Sequence, residues 1–159
     1  MRSGVGFDAH RFAPDRPLVI GGVTIEHHLG LSGHSDADVL SHAVGDALLG
    51  AAGLGDLGEW FPSDEKWKGV SSLTLLEDIA RALRQAGWRI GNVDATVMAE
   101  APRLAPHARA MREKIAGALG IAADLVSVKA TTTDGMGFTG RGEGMACIAI
   151  ASLESGSGY

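Results

Sequence analysis

The chain has 159 residues and a formal net charge of −5, and 45% of its residues are hydrophobic. This length predicts one domain over residues 1–159 that is large enough to bury a core. The acidic balance argues against a nucleic-acid partner but leaves room for a local phosphate pocket, and the absence of a run of about 18 apolar residues argues against a membrane partner.

The N-terminal residues and the cysteine content indicate the cellular compartment of the protein. The N-terminus lacks the uninterrupted apolar run of a signal peptide. Cys147 is the single cysteine and lies in an apolar run, so we expect it in the core and predict neither a disulfide nor a thiolate metal site. These features predict a cytoplasmic protein. The short segment before Asp8 favours a stand-alone domain over part of a fused two-enzyme polypeptide.

The hydrophobic patterns predict strands and helices without regular alternation. In chain order these are strand Ser3–Asp8, strand Leu18–Ile25 with a bend at Gly21-Gly22, a helix from Asp38 through Ala51 or beyond, helix Leu73–Gln85, strand Asn92–Met98, helix His107–Leu119, and strands Leu125–Thr132 and Met145–Leu153. This order predicts an α+β fold with helices on one face of a mixed sheet.

The sequence also predicts the loops, the C-terminal tail and the cap of the first helix. We predict loops over Gly30–Ser35, Gly55–Ser71 and Ala101–Pro106, and a frayed tail over residues 155–159. Ser35 is predicted to be the N-cap of the first helix, with Asp38 at its third position as in a capping box.

Asp8, His10 and His42 are the most informative residues. Residues two apart on a strand point to one face, so Asp8 and His10 can present an oxygen and a nitrogen to the same small volume. His42 lies in the first predicted helix and can supply a third ligand. Three protein ligands are typical of a catalytic zinc site, whose fourth position stays open. The alternative is a buried Asp–His pair beside an unrelated helical histidine.

Two aspartates lie four residues from His42 on the same helical face. Asp38 and Asp46 are each able to accept a hydrogen bond from the ring nitrogen of His42 that does not face the metal. For Asp38 we favour capping of the helix over this orienting role, and Asp46 is equally consistent with a solvated side chain.

Several longer motifs occur in a consistent order along nearly the whole chain. They are Gly6-Phe7-Asp8-Ala9-His10, Gly33-His34-Ser35-Asp36-Ala37-Asp38, Asp46-Ala47-Leu48, Gly55-Asp56-Leu57-Gly58, Phe61-Pro62, Gly91-Asn92-Val93-Asp94, Ala101-Pro102, Lys129-Ala130-Thr131-Thr132-Thr133 and Gly137-Phe138-Thr139-Gly140-Arg141-Gly142-Glu143-Gly144. Together they make the sequence resemble the 2-C-methyl-D-erythritol 2,4-cyclodiphosphate synthases of the non-mevalonate isoprenoid pathway.

The resemblance implies a homotrimer of ferredoxin-like subunits with active sites between neighbouring subunits. It implies a phosphorus–oxygen lyase whose substrate is 4-diphosphocytidyl-2-C-methyl-D-erythritol 2-phosphate. The 2-phosphate of this substrate attacks the β-phosphate of its own diphosphate, which releases CMP and closes a cyclic diphosphate. It further implies room for an isoprenoid diphosphate at the threefold axis.

The resemblance also assigns metal-binding and catalytic roles. Asp8, His10 and His42 match zinc ligands, which would also take another divalent transition metal, and the first two also border the substrate. His34 and Thr132 match residues that stabilise the transition state. Asp134 stands where the family commonly has glutamate, and its carboxylate is a candidate ligand for Mg²⁺ or Mn²⁺ on the substrate diphosphate.

The remaining matches are substrate contacts. They comprise the phosphate contacts His34 and Ser35, the methylerythritol wall Asp56, Leu57, Gly58, Phe61, Ser63 and Asp64, the cytidine segment Ala99, Glu100, Ala101, Pro102, Arg103, Leu104 and Ala105, the strand end Thr131, Thr132, Thr133 and Asp134, and Phe138 with Arg141 near the threefold axis. The loop after Pro62 is one residue shorter than in many members, and Arg103 replaces a common lysine. Arg141 is equally suited to bind an anion or to pair with Glu143.

Two other functions fit the same residues. A zinc phosphohydrolase would use metal-bound water and release inorganic phosphate or a linear product. A non-catalytic trimer would bind nucleotides or isoprenoid diphosphates without turnover.

Overall fold

The computed structural model describes residues 1–156, which form a sheet with helices packed against one face. The elements are β1 (Arg2–Ala13), β2 (Leu18–Ile20), β3 (Val23–Ile25), β4 (Gly30–Leu31), α1 (Val39–Ala52), α2 (Leu57–Trp60), α3 (Ser72–Gln85), β5 (Trp88–Met98), α4 (Ala108–Leu119), β6 (Val126–Thr131), α5 (Gly137–Gly140) and β7 (Gly144–Ser155). Short 3-10 turns occur at Glu65–Trp67, Ala105–His107 and Ala123–Leu125.

The main sheet has five strands in the order β4-β1-β7-β5-β6. The pairs β1–β7 and β5–β7 are antiparallel, and β5–β6 is parallel, so the sheet is mixed. Helix α1 packs on β1, β7 and β5, and α3 and α4 extend the same layer. The predicted α+β architecture is confirmed. Within residues 1–156, no helix has the length and apolar character needed to cross a bilayer.

The residues of the core explain why α1 packs so closely on β1. Most residues of α1 are buried, and many of them are small, such as Ala43, Gly45 and Ala47. Small side chains let a helix axis approach a sheet more closely than bulky ones would. Cys147 is buried among them, as the sequence predicts, and burial raises the pKa of its thiol far above the usual range.

The start of α1 differs from the prediction. Asp38, not Ser35, is the N-cap, because its side chain accepts a hydrogen bond from the Ser41 amide at 3.0 Å. The same buried carboxylate accepts the amides of Gly21 (2.8 Å) and Gly22 (2.7 Å) in the β2–β3 turn, and burial raises its pKa. Asp38 therefore caps α1 and anchors a hairpin, which confirms capping as its role.

Several boundaries also differ. β1 continues five residues beyond Asp8, because residues 9–11 pair with β7 and residues 12–13 pair with β4. The strand predicted over Leu18–Ile25 is a hairpin of two short strands, since Gly21 and Gly22 both have positive φ. The loop predicted over Gly55–Ser71 contains α2. Ser155 belongs to β7 and is not frayed, and residues 157–159 of the predicted tail lie outside the described residues.

The face of the sheet away from the helices carries an apolar patch. Val5, Phe7, Ile148 and Ile150 are exposed by 65%, 57%, 43% and 53%. Val5 pairs with Ile150 and Phe7 with Ile148 across β1 and β7, so these four side chains form one continuous surface. We call it the open-face patch.

Candidate metal centre and substrate clefts

Asp8, His10 and His42 meet at the edge of the helix layer. Asp8 and His10 lie two residues apart on β1 and project to the face covered by α1, which supplies His42. Asp8 Oδ2 lies 2.8 Å from His10 Nε2 and 3.1 Å from His42 Nδ1, and the two ring nitrogens are 3.1 Å apart. The convergence predicted from the two-residue spacing is confirmed.

The three side chains are strongly coupled. Burial alone would raise the pKa of Asp8, but hydrogen bonds from His10 and His42 and their charges hold it well below its usual range. Burial opposes the charged form of His42, yet the Asp8 carboxylate beside it raises the pKa of that imidazole. The Asp8 carboxylate therefore stays ionised beside the two ring nitrogens and favours the charged form of His42.

This donor set fits a divalent transition metal. One ligand atom from each of the three residues lies within 4.8 Å of the others, in a partly buried site. One carboxylate oxygen and two imidazole nitrogens are typical ligands of zinc, and they also suit neighbouring metals of the first transition row. Asp8, His10 and His42 would hold such an ion, and His10 and His42 also line the adjoining cleft.

The other ring nitrogen of each histidine faces a protein group. His10 Nδ1 lies 2.7 Å from the Ser32 carbonyl oxygen. His42 Nε2 lies 3.0 Å from Ser35 Oγ and 2.9 Å from Ser72 Oγ. Partners of this kind fix which nitrogen of a ligating histidine is free to bind a metal.

Among the described residues, the two aspartates with the spacing to orient His42 bond elsewhere. The Asp38 carboxylate accepts the amides of Ser41, Gly21 and Gly22. Asp46 accepts the Leu57 amide at 2.8 Å. Asp46 therefore holds the start of α2 and does not bond to His42. Ser72, which was not predicted from the sequence, lies beside His42 Nε2 instead. Its only signal in the sequence was its place at the start of α3.

A cleft of about 210 Å³ opens beside the metal ligands. Its lining includes His10, His34, Ser35, His42, Leu57, Gly58, Phe61, Ser63, Trp67 and Leu75. Trp67 and Leu75 were not predicted, whereas six lining residues match the predicted contacts for phosphate and methylerythritol: His34, Ser35, Leu57, Gly58, Phe61 and Ser63. We call it the metal-side cleft.

The loop of His34 and Ser35 is held from several sides. Arg16 donates hydrogen bonds to the carbonyl oxygens of Gly33 (2.7 Å) and Ser35 (2.9 Å), which fixes the backbone on both sides of His34. His34 Nε2 bonds to the Asp64 carbonyl oxygen, so this histidine contacts the shortened loop. The carboxylates of Asp64 and Asp56 cap short helical turns, where they accept hydrogen bonds from the amides of Lys66 and Glu59, respectively.

A second cleft, of about 460 Å³, lies at the ends of β5 and β6. Its lining residues are Ala99, Glu100, Pro102, Arg103, Leu104, Ala105, Ala130, Thr131 and Thr132. This set brings together most of the predicted cytidine segment with the predicted strand end. We call it the nucleotide-side cleft. Beside it, Thr132 Oγ1 donates to Asp134 Oδ1 at 3.3 Å, and Thr133 N donates to Glu100 at 2.9 Å.

Within residues 1–156 the two clefts share no lining residue. β1 and β6 are three strand spacings apart in the sheet, which corresponds to about 14 Å. A further cavity of about 310 Å³, beside His10 and Arg11, includes Phe138 and Glu143, and Glu143 pairs with Arg141 at 2.7 Å. One chain thus presents two separate halves of the predicted site.

Comparison with known proteins gives consistent matches over the whole length. The YgbB family matches residues 1–154. The 2-C-methyl-D-erythritol 2,4-cyclodiphosphate synthase of Moorella thermoacetica is 55% identical over 99% of this chain and 99% of its own. The bifunctional enzyme IspD/IspF of Anaeromyxobacter dehalogenans is 60% identical over 98% of this chain, which spans only 40% of that longer relative.

A solved structure matches the fold. The CDP complex of IspF from Plasmodium falciparum superposes with a TM-score of 0.85 at 29% identity, over 97% of this chain and 96% of that chain.

Proposed function

Since this chain belongs to the YgbB family of 2-C-methyl-D-erythritol 2,4-cyclodiphosphate synthases, we propose that it forms that cyclic diphosphate in isoprenoid biosynthesis. The substrate is 4-diphosphocytidyl-2-C-methyl-D-erythritol 2-phosphate and the second product is CMP, which makes the enzyme a phosphorus–oxygen lyase. The observation that supports this most directly is the convergence of Asp8, His10 and His42 beside a cleft lined by the predicted phosphate contacts. The CDP complex of the Plasmodium falciparum relative supports a cytidine nucleotide as part of the substrate.

The reaction needs no nucleophile from the protein. An oxygen of the substrate's 2-phosphate forms a bond to the β-phosphorus, and the bond from that phosphorus to the oxygen of CMP breaks. The chain has to bring the two phosphates together and exclude water. Orientation of this kind contributes on the order of 7–11 kcal/mol in well-arranged intramolecular reactions.

The residues of the metal-side cleft bind the reacting phosphates and the methylerythritol. Asp8, His10 and His42 hold a zinc ion or another divalent transition metal, which supplies a Lewis acid for phosphate oxygens. His34 and Ser35 donate hydrogen bonds to the phosphate, at a loop that Arg16 fixes in place. Asp56, Leu57, Gly58, Phe61, Ser63 and Asp64 surround the methylerythritol.

The residues of the nucleotide-side cleft bind cytidine and its diphosphate. Residues 99–105 enclose the base and ribose, and Thr131, Thr132 and Thr133 contact the diphosphate. Thr132 stabilises the negative charge of the transition state. Asp134, next to Thr132, offers an exposed carboxylate oxygen for Mg²⁺ or Mn²⁺ on the diphosphate.

We infer that the two clefts are joined by assembly into a homotrimer, with each active site between neighbouring subunits. Two observations support this arrangement. The open-face patch is a continuous apolar surface on the uncovered side of the sheet, which is typical of an interface. The two clefts share no lining residue within residues 1–156, which supports a site that a neighbouring subunit completes. Phe138 and Arg141 then lie near the axis, where an isoprenoid diphosphate is a candidate ligand.

Phosphorus NMR of the purified protein with substrate, zinc and magnesium tests the activity. We expect coupled resonances of a cyclic diphosphate and an equimolar amount of CMP. Inorganic phosphate instead would indicate a phosphohydrolase. Unchanged substrate with folded, metal-loaded protein would indicate a binding protein. The cytoplasmic location and the stand-alone state of the chain stay predictions from the sequence.

A further inference from the structure

A chain of side chains leads from the metal ligand His42 to an aspartate on the far side. His42 Nδ1 faces Asp8 and His10, whereas Nε2 lies 2.9 Å from Ser72 Oγ. The Ser72 hydroxyl in turn donates a hydrogen bond to Asp36 Oδ1, and the Ser72 amide donates to Asp36 Oδ2 at 2.9 Å. Ser72 is only 1% exposed, and its bonds to Asp36 are partly buried.

The direction of these hydrogen bonds follows from the chemistry of each group. An ionised carboxylate only accepts, so Asp36 requires the Ser72 hydroxyl to donate. The oxygen of that hydroxyl then has only lone pairs left for His42, so Nε2 has to carry the hydrogen. The neutral ring with its hydrogen on Nε2 has its free lone pair on Nδ1, the nitrogen that faces Asp8 and His10.

We propose that Asp36 and Ser72 are positioning residues that hold His42 in the tautomer required for metal binding. This inference rests on the metal site of the proposed function. Asp36 sets the direction of the Ser72 hydroxyl, and Ser72 sets the tautomer and the ring orientation of His42. Neither residue belongs to the three metal ligands or lines the metal-side cleft.

The arrangement also affects Ser35, whose hydroxyl lies 3.0 Å from the same Nε2. A single N–H makes one good hydrogen bond. With Ser72 as the acceptor, the Ser35 hydroxyl is free to donate to a substrate phosphate. The two serines therefore have separate tasks, although both lie beside His42.

A purely structural role is the competing explanation, because Asp36 also joins the 33–38 loop to α3. The chain offers a matched control in Ser71, which is the N-cap of the same helix and accepts the Leu73 amide at 3.3 Å. Ser71 is exposed and bonds to neither Asp36 nor His42. Ser71→Ala therefore weakens the start of α3 without changing the metal site.

The test is the affinity of metal-free, full-length protein for Zn²⁺, measured by competition with a chromophoric chelator, together with the visible spectrum of the Co²⁺-loaded protein. We expect Ser72→Ala to weaken Zn²⁺ binding by about 10–100-fold and to change the Co²⁺ spectrum, while Ser71→Ala matches the wild type. We expect Ser72→Thr, which keeps the hydroxyl, to restore most of the affinity.

Asp36→Asn keeps the side-chain volume and serves as a second variant if Ser72→Ala does not fold. An amide group facing Ser72 would turn the hydroxyl toward Nε2 and favour the other tautomer, so we expect weaker Zn²⁺ binding here too. Unchanged affinity in Ser72→Ala or Asp36→Asn would overturn the proposal. Equal losses in Ser72→Thr and Ser72→Ala would assign the effect to packing and overturn it as well. A wild-type protein that binds no Zn²⁺ would instead contradict the metal site itself.

Discussion

A Cβ atom built on Gly6 would lie 1.9 Å from the carbonyl oxygen of Ala43. Strand β1 and helix α1 thus approach each other at a distance that only glycine permits. Gly6 is two residues before Asp8, and Ala43 directly follows His42. The contact that excludes a side chain at Gly6 is therefore the one that brings the strand ligands within reach of the helix ligand.

Gly6→Ala tests this relationship. The methyl group forces α1 away from β1, and overpacking of this kind costs at least about 1–3 kcal/mol of unfolding free energy. We expect a lower Tm and weaker Zn²⁺ binding in the same variant. Gly50→Ala is the control, because Gly50 lies exposed on α1 with nothing within 4 Å of the added atom. That variant should gain about 0.5–1 kcal/mol and bind Zn²⁺ normally.

His42→Ala should abolish stoichiometric metal binding and leave the fold largely intact. Loss of a Lewis acid worth several kcal/mol predicts a turnover lower by about 100-fold or more. Metal content, circular dichroism and turnover are measured on the same preparation. His28→Ala, at an exposed histidine outside both clefts, should behave like the wild type. Normal cyclisation by zinc-free His42→Ala protein would contradict the assignment.

Thr132→Ala should lower kcat by about 10²–10³-fold with little change in KM, because a hydrogen bond to the transition state is lost while cytidine contacts remain. Thr132→Ser retains the hydroxyl and should recover most of the rate. Steady-state kinetics of CMP release separates the two parameters. If kcat is unchanged in Thr132→Ala, this threonine has no part in the chemical step.

Ile150→Lys places a charge in the open-face patch. In an assembled interface this charge would be buried without a partner, at a cost of about 3–5 kcal/mol. We expect light scattering to show loss of the trimer, and activity to fall with it. Thr24→Lys adds the same charge at an exposed position on β3 and should keep the wild-type assembly. A trimer that persists in Ile150→Lys would show that this face is not the interface.

The sequence predicts the parts of this protein that depend on local spacing. Asp8 and His10 are two apart on a strand, so their shared face follows from the period of the strand alone. The burial of α1 likewise follows from its run of small apolar residues. The far end of β1 was missed because Arg11 and His10 interrupt the apolar alternation, and only pairing with β7 and β4 reveals the strand.

Contacts between distant residues could not be predicted in the same way. Asp38 and Asp46 have the spacing to reach His42, but their carboxylates accept hydrogen bonds from backbone amides of other segments instead. Ser72 reaches His42 across 30 residues of sequence, and that distance is set by the packing of α3 on α1. The separation of the two clefts depends on the strand order, which no local pattern contains.

The most direct test of the account is complementation between two inactive variants, His42→Ala and Thr132→Ala. If each active site combines His42 of one subunit with Thr132 of its neighbour, random mixed trimers should have both residues intact at about one quarter of their interfaces. We therefore predict that unfolding and refolding the two variants together restores about a quarter of the wild-type cyclic diphosphate formation, compared with a wild-type sample treated identically. A refolded mixture that forms trimers but stays as inactive as its components would show that each site lies within one chain, and would contradict the account.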